Sequence, residues 1–119
     1  MSSPNIVGVT TIYGNTAVQA STTSATAIVT NSSASGKVYK INGLIITNVD
    51  PAATVTVIVD IYRGASAYKI ASNVSINPNT TYTPIDKTLS LYLLEGDSIR
   101  VTASANNSLQ SVCSWEEIS

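Results

Sequence analysis

The sequence predicts an all-β chain: a single antiparallel β-sandwich, jelly-roll or Ig-like, of about eight strands. Three observations carry that expectation. Polarity alternates with a period of two over Ala53 to Tyr62 and again over Ser98 to Ser104, as in a strand with one face on a core. Only 11% of the residues are charged, so the polar surface is drawn from Ser, Thr and Asn, which suit strand faces and turns better than helix interiors. No segment shows the periodicity of a long helix, which excludes a parallel βαβ fold. The 119 residues make one domain, with residues 1–20 as an N-terminal arm or first strand and residues 21–119 as the sandwich.

Ile6 to Tyr13 reads as a weak strand ending at a Gly14-Asn15 turn, with Ala17 to Ala20 continuing on the other side. It lacks large apolar residues on a consistent face, which suits an arm ordered by a neighbour. After the polar break Ser21 to Ser24, Ala25, Ala27 and Val29 alternate with Thr26, Ile28 and Thr30 as a short strand, and Asn31 to Gly36 is a loop. Val38 to Arg63 is the organising stretch. Its first run, Ile41 to Val49, is β-branched and almost continuously apolar, which predicts a central strand covered on both faces. Its second run places Ala53, Val55, Val57, Val59 and Ile61 on the core side. Asp50-Pro51-Ala52 between them predicts a hairpin.

Gly64 permits a tight reversal after Arg63. Ala67 to Ile76 is a further strand region, Asn77 to Thr80 a turn, and Tyr82 to Lys87 an extended piece that Pro84 confines to an edge. Leu89, Leu91 and Leu93 alternate as a strand that stops at Glu95-Gly96-Asp97. Ser98 to Ser104 is half-buried, Asn106-Asn107-Ser108 turns the chain, and Leu109 to Ile118 is the last strand.

The chemistry is sparse. Histidine is absent, which removes the usual general base and the commonest metal ligand. No catalytic, cofactor-binding or metal residue is assigned, no cofactor is expected, and the chain reads as a non-enzyme. Glu95 and Asp97 flank Gly96, but a hard cation wants six or more oxygens, more than this turn offers. Asp60 with Glu116 is a conceivable carboxylate pair that nothing in the spacing singles out. Cys113 is the only cysteine, which rules out an internal disulfide and suits a small core residue. The net charge of -1 comes without any basic cluster, so nucleic acid is not an expected partner. No apolar run approaches the roughly 20 residues of a spanning helix, and Met1 to Asn5 lacks the basic start of a signal peptide. A protein made in the cytosol, with no membrane partner, is expected.

All aromatics are Tyr or Trp, rings that favour the edge of a core or an interface. They edge the core or, for Tyr62, Tyr92 and Trp115, build a sugar-stacking platform. The outward apolar residues exceed what a lone sandwich leaves to water. Ile58, Tyr62, Tyr92, Leu94 and Trp115 are the candidate interface.

Val55 to Arg63 reads Val-Thr-Val-Ile-Val-Asp-Ile-Tyr-Arg, Leu94 to Ser104 reads Leu-Glu-Gly-Asp-Ser-Ile-Arg-Val-Thr-Ala-Ser, and Trp115 to Ile118 reads Trp-Glu-Glu-Ile. Across Val38 to Ile118 these phrases resemble small all-β virion structural proteins of tailed bacteriophages, especially those of marine bacteria and cyanobacteria. The resemblance implies a virion protein without an active site. It would be a decoration or cement protein bound to the major capsid protein, or a neck, tail or fibre component. It also implies a homo-oligomer, a trimer foremost. A carbohydrate-binding sandwich is the alternative.

Overall fold

The chain is one long antiparallel ribbon rolled up on itself, and it doubles back at Gly64-Ala65. The computed structural model describes residues 6–8, 10–89 and 91–119. Within them lie nine strands: β1 (Ile12–Ala20), β2 (Thr26–Thr30), β3 (Val38–Asn48), β4 (Val55–Arg63), β5 (Ser66–Ile76), β6 (Thr81–Ile85), β7 (Leu91–Leu93), β8 (Ser98–Ala103) and β9 (Leu109–Ile118). Ile6–Gly8 and Lys87–Leu89 are short 3-10 turns.

Strand pairing is nested. β4 pairs with β5, β3 with β6 and β7, β2 with β8, and β1 with β9, all antiparallel. Successive pairs of the ribbon fall alternately into two sheets, β1-β9-β3-β6 with β7 also on β3, and β2-β8-β4-β5. This is the jelly-roll arrangement, and it decides between the two sandwiches the sequence left open. Among the described residues the pair β4 and β5 is the one place where consecutive strands are hydrogen-bonded neighbours. Their loop is the tight reversal expected from Gly64. Gly64 and Ala65 have φ of 58° and 63°, and Arg63 pairs with Ser66 across them. Positive φ at both loop positions matches the right-handed twist of the flanking strands.

The hairpin expected at Asp50-Pro51 is not there. β3 and β4 lie in different sheets, and residues 49–54 carry the chain from one to the other. Asp50 Oδ1 accepts the Ala52 and Ala53 N–H groups at 2.8 and 3.0 Å. Buried Asn48 donates Nδ2 to the carbonyls of Ala53 and Ile76, both at 2.9 Å. The same residues cap a reversal within a sheet or a corner between sheets. The apolar faces choose the corner, because Ile41, Leu44 and Ile46 of β3 and Val55, Val57 and Val59 of β4 share one core.

β3 is central, as expected, between β9 on one side and β6 and β7 on the other. It is not covered on both faces, for Ile45 is 43% exposed. A bulge explains the continuous apolarity. Register with β9 shifts between Ile41 and Gly43, so the core phase passes from Ile41 to Leu44 and Ile46 and leaves Ile45 pointing outward. β1 also departs from expectation. It runs straight through Gly14 and Asn15, which pair with Glu116 and Trp115 of β9. Gly-Asn permits a turn without requiring one, and here the long partner holds the chain extended. Residues 12–20 are thus a first strand of the sandwich. The strand expected from Ile6 begins only at Ile12; Ile6–Gly8 is a 3-10 turn, and Val9 lies outside the described residues. Leu89 is likewise in a 3-10 turn and 63% exposed, leaving β7 as Leu91–Leu93; Ser90 lies outside the described residues.

Most of the alternating residues expected inside meet the core, except Ala53, which is exposed and precedes β4, and Ile61, which is only partly buried. Val55, Val57, Val59, Ile99, Val101 and Ala103 are buried from one sheet, facing Ile41, Leu44, Ile46, Ile85, Leu93 and Leu109 from the other. Cys113 sits among them at 0% exposure, and burial pushes its thiol up to about 12. Pro84 lies in edge strand β6, where its missing N–H breaks no ladder. A second buried asparagine holds another crossing between sheets. Asn31, after β2, donates Nδ2 to the carbonyls of Lys37 and Leu93, both at 3.0 Å.

Candidate interaction surface

The two sheets each present an outer face, and the faces differ in chemistry. On the β2-β8-β4-β5 sheet, Asp60, Tyr62 and Arg100 point away from the core yet close on one another. Asp60 and Arg100 are cross-strand partners. Arg100 Nε and Nη2 donate to the two Asp60 oxygens at 2.9 and 3.3 Å. The guanidinium carbon stands 4.1 Å from the Tyr62 ring centroid, a cation–π contact. Asp60 is 1% exposed, so its charge is covered by the residues that neutralise it. At the hairpin end of this sheet Arg63 Nε donates to Asp97 Oδ1 at 2.8 Å. Burial pushes the Asp97 carboxyl up, but Arg63 and the Leu94 N–H outweigh it and hold the group below its ordinary value.

The outer face of the β1-β9-β3-β6 sheet is built differently. Val18 pairs with Val112, and Val112 with Ile45, so the three side chains form an apolar row across β1, β9 and β3. They are 77, 38 and 43% exposed. The flanking rows are Thr16, Ser114 and Gly43 on one side and Ala20, Gln110 and Thr47 on the other. None of these nine residues is charged. A groove of about 330 Å³ lies along β1 and β9, lined by Val18, Gln19, Ala20, Gln110, Ser111 and Val112. Charge enters one row further on, where Gly14, Glu116, Lys40 and Tyr92 stand side by side. Asn42, the residue bulged out of β3, donates there to Glu116 Oε1 at 3.0 Å.

The five candidate interface residues are not brought together. Ile58 and Tyr62 lie on the outer face of one sheet, in β4, and Tyr62 is occupied by Arg100. Tyr92, 44% exposed, belongs to the other sheet, beside Lys40, and Leu94 follows β7. Trp115 packs against the core and stacks on Tyr39 with ring centroids 6.1 Å apart. The proposed sugar platform of Tyr62, Tyr92 and Trp115 therefore does not exist as one surface. Asp60 and Glu116 are separated in the same way, on the outer faces of different sheets. Asp97 is engaged by Arg63 and Leu94, and Glu95 Oε2 accepts the Gly36 N–H at 2.6 Å. Among the described residues no three metal-ligating side chains converge.

Sequence reasoning missed the row Val18, Val112 and Ile45. For Val112 a local signal exists, since Leu109, Cys113 and Trp115 share the opposite phase of the strand. For Ile45 none does, because the bulge that turns it outward is visible only in the pairing with β9. No protein-family model matches this chain, and no curated protein matches its sequence.

Proposed function

We propose that this chain is a non-enzymatic structural protein of a tailed-phage virion, a capsid decoration or cement protein that works as a homo-oligomer with the major capsid protein as partner. The reading joins the resemblance of Val55 to Arg63 and Leu94 to Ser104 with a jelly-roll fold, an architecture common to viral capsid and lectin domains. That step is fold-level analogy. The observation that carries it further is the uncharged centre of the outer face of the β1-β9-β3-β6 sheet, with its exposed row Val18, Val112 and Ile45. A face of small, neutral residues loses little polar solvation when a second protein covers it. The carbohydrate alternative has weaker support, because Tyr62 and Trp115 are already stacked against neighbours.

The test is immunogold electron microscopy of virions of the encoding phage, using antibody raised against the purified chain. Regular label over the capsid is expected. Label confined to the tail moves the protein to that structure, and unlabelled particles together with glycan-array binding by the isolated chain overturn the reading.

A further inference from the structure

Among the described residues the sheets have four edges, and one of them is neither short, charged, bulged nor broken by proline. Natural edges are short, charged, bulged or broken by proline. β2 has five residues and a register break. β5 carries Lys69, two register breaks and Asn73 at a φ of 52°. On the far side of β3, β6 contains Pro84 and β7 is three residues long. β1 is different. Its nine residues, Ile-Tyr-Gly-Asn-Thr-Ala-Val-Gln-Ala, contain no charge and no proline, keep unbroken register with β9, and lie at the end of their sheet. Among the described residues no strand pairs with its outer side, which leaves backbone donors and acceptors there for a further strand.

An extended segment is the occupant such an edge selects, and the sequence of β1 matches itself. Antiparallel pairing of two copies keeps outward residues on one face only when paired residue numbers have an even sum. The register centred on Thr16 meets that condition and uses all nine residues. It sets Ile12 against Ala20, Gly14 against Val18, and Thr16 against Thr16 on the outer face, a large side chain opposite a small one at each unlike pair. Thr–Thr pairs are favourable across strands. With no charge in β1, no like charges meet.

We infer that β1 pairs antiparallel with β1 of a second copy about a two-fold axis at Thr16, joining two β1-β9-β3-β6 sheets into one. The inference rests on the assembly reading above and makes the basic unit a pair, where the phage resemblance implies a trimer. Each copy's apolar row would then lie on one continuous face, available to a larger partner.

The experiment is light scattering on the full-length chain over a wide range of concentration, with Thr16→Lys as the disrupting variant. Thr16 is exposed, so the variant keeps the monomer fold while placing two ammonium groups face to face at the axis. Wild type should run at twice the 12.4 kDa chain mass and Thr16→Lys at that mass. Thr16→Cys should form an intermolecular disulfide on mild oxidation, since opposed Cα atoms lie about 4.5–5.5 Å apart. Ser114→Cys, one strand further in and about 14 Å from its mate, should not. A wild-type monomer without the Thr16→Cys cross-link overturns the inference. So does an oligomer whose mass Thr16→Lys leaves unchanged, but that result leaves the assembly reading standing. A dimer broken by Thr16→Lys with unlabelled virions supports the edge pairing and removes the virion role.

Discussion

The two outer faces of this sandwich solve the same problem in opposite ways. The β2-β8-β4-β5 sheet carries the Asp60–Arg100 ion pair on its outer side and neutralises that buried carboxylate within the sheet. Asp60 meets Arg100 and Arg100 covers Tyr62, while at the hairpin end, on the core-facing phase of the strands, Arg63 reaches Asp97. The β1-β9-β3-β6 sheet carries almost no charge over its centre and leaves Val18, Val112 and Ile45 in water. The closed face has spent its polar groups on the protein's own stability. The open face contributes little to folding, and its apolar row leaves water only once something covers it. A jelly roll can separate these roles because its two sheets share a core while their outer sides never meet.

Removing Arg100 should give the largest effect. Arg100→Ala leaves the Asp60 carboxylate buried without its partner, and breaking such a pair costs about 3 kcal/mol, or roughly 12 °C in melting temperature at about 4 °C per kcal/mol. Differential scanning calorimetry measures it. Replacing both members, as Asp60→Asn with Arg100→Met, should recover much of the loss, because no uncompensated charge remains. A double variant as unstable as the single one would show that the closed face depends on packing and not on charge pairing.

Acid should loosen the hairpin end of the same sheet next. The Asp97 carboxyl titrates below its ordinary 3.8 in the folded chain. Its contribution is therefore complete above the unfolded value and disappears as pH falls through the lower folded one. Urea midpoints should hold steady near neutrality and drop below about pH 4. Asp97→Asn should lower the neutral midpoint and flatten the acid limb. An unchanged acid limb in the variant would assign the acid sensitivity to other carboxylates.

The smallest effect belongs to the open face. Ile45→Thr should change unfolding free energy by under about 1 kcal/mol, since surface substitutions away from caps and networks are mild and threonine suits a strand. Circular dichroism with urea measures it. A cost approaching that of Arg100→Ala would mean Ile45 is part of the monomer's core packing, and the contrast between the faces would fail.

Much of this was legible in the chain because it is written locally. The period of two at Val55, Val57 and Val59 and at Ile99, Val101 and Ala103 needs only neighbouring residues to be read, and the buried residues follow it. Gly64, Pro84 and Gly96 mark their turns and edge by backbone chemistry of their own. The misreadings share a cause. Asp50-Pro51 looks like a hairpin because its hydrogen bonds are those of any tight reversal, and Gly14-Asn15 looks like a turn because glycine and asparagine permit one. The candidate interface scattered because an outward phase is legible strand by strand, whereas the sheet that Tyr62 and Tyr92 each enter is not.

Residue by residue, the chain itself determined that it would be strands, roughly where they would lie, and which side of most would be apolar. Tertiary structure alone decided that Asn15 would bond to Glu117, 102 positions away, that a bulge at Asn42 would turn Ile45 outward, and that β1 would stand at the end of its sheet. Alternation and turn chemistry act over a few residues, whereas strand neighbours are chosen by which long-range pairing lets every apolar face reach one core.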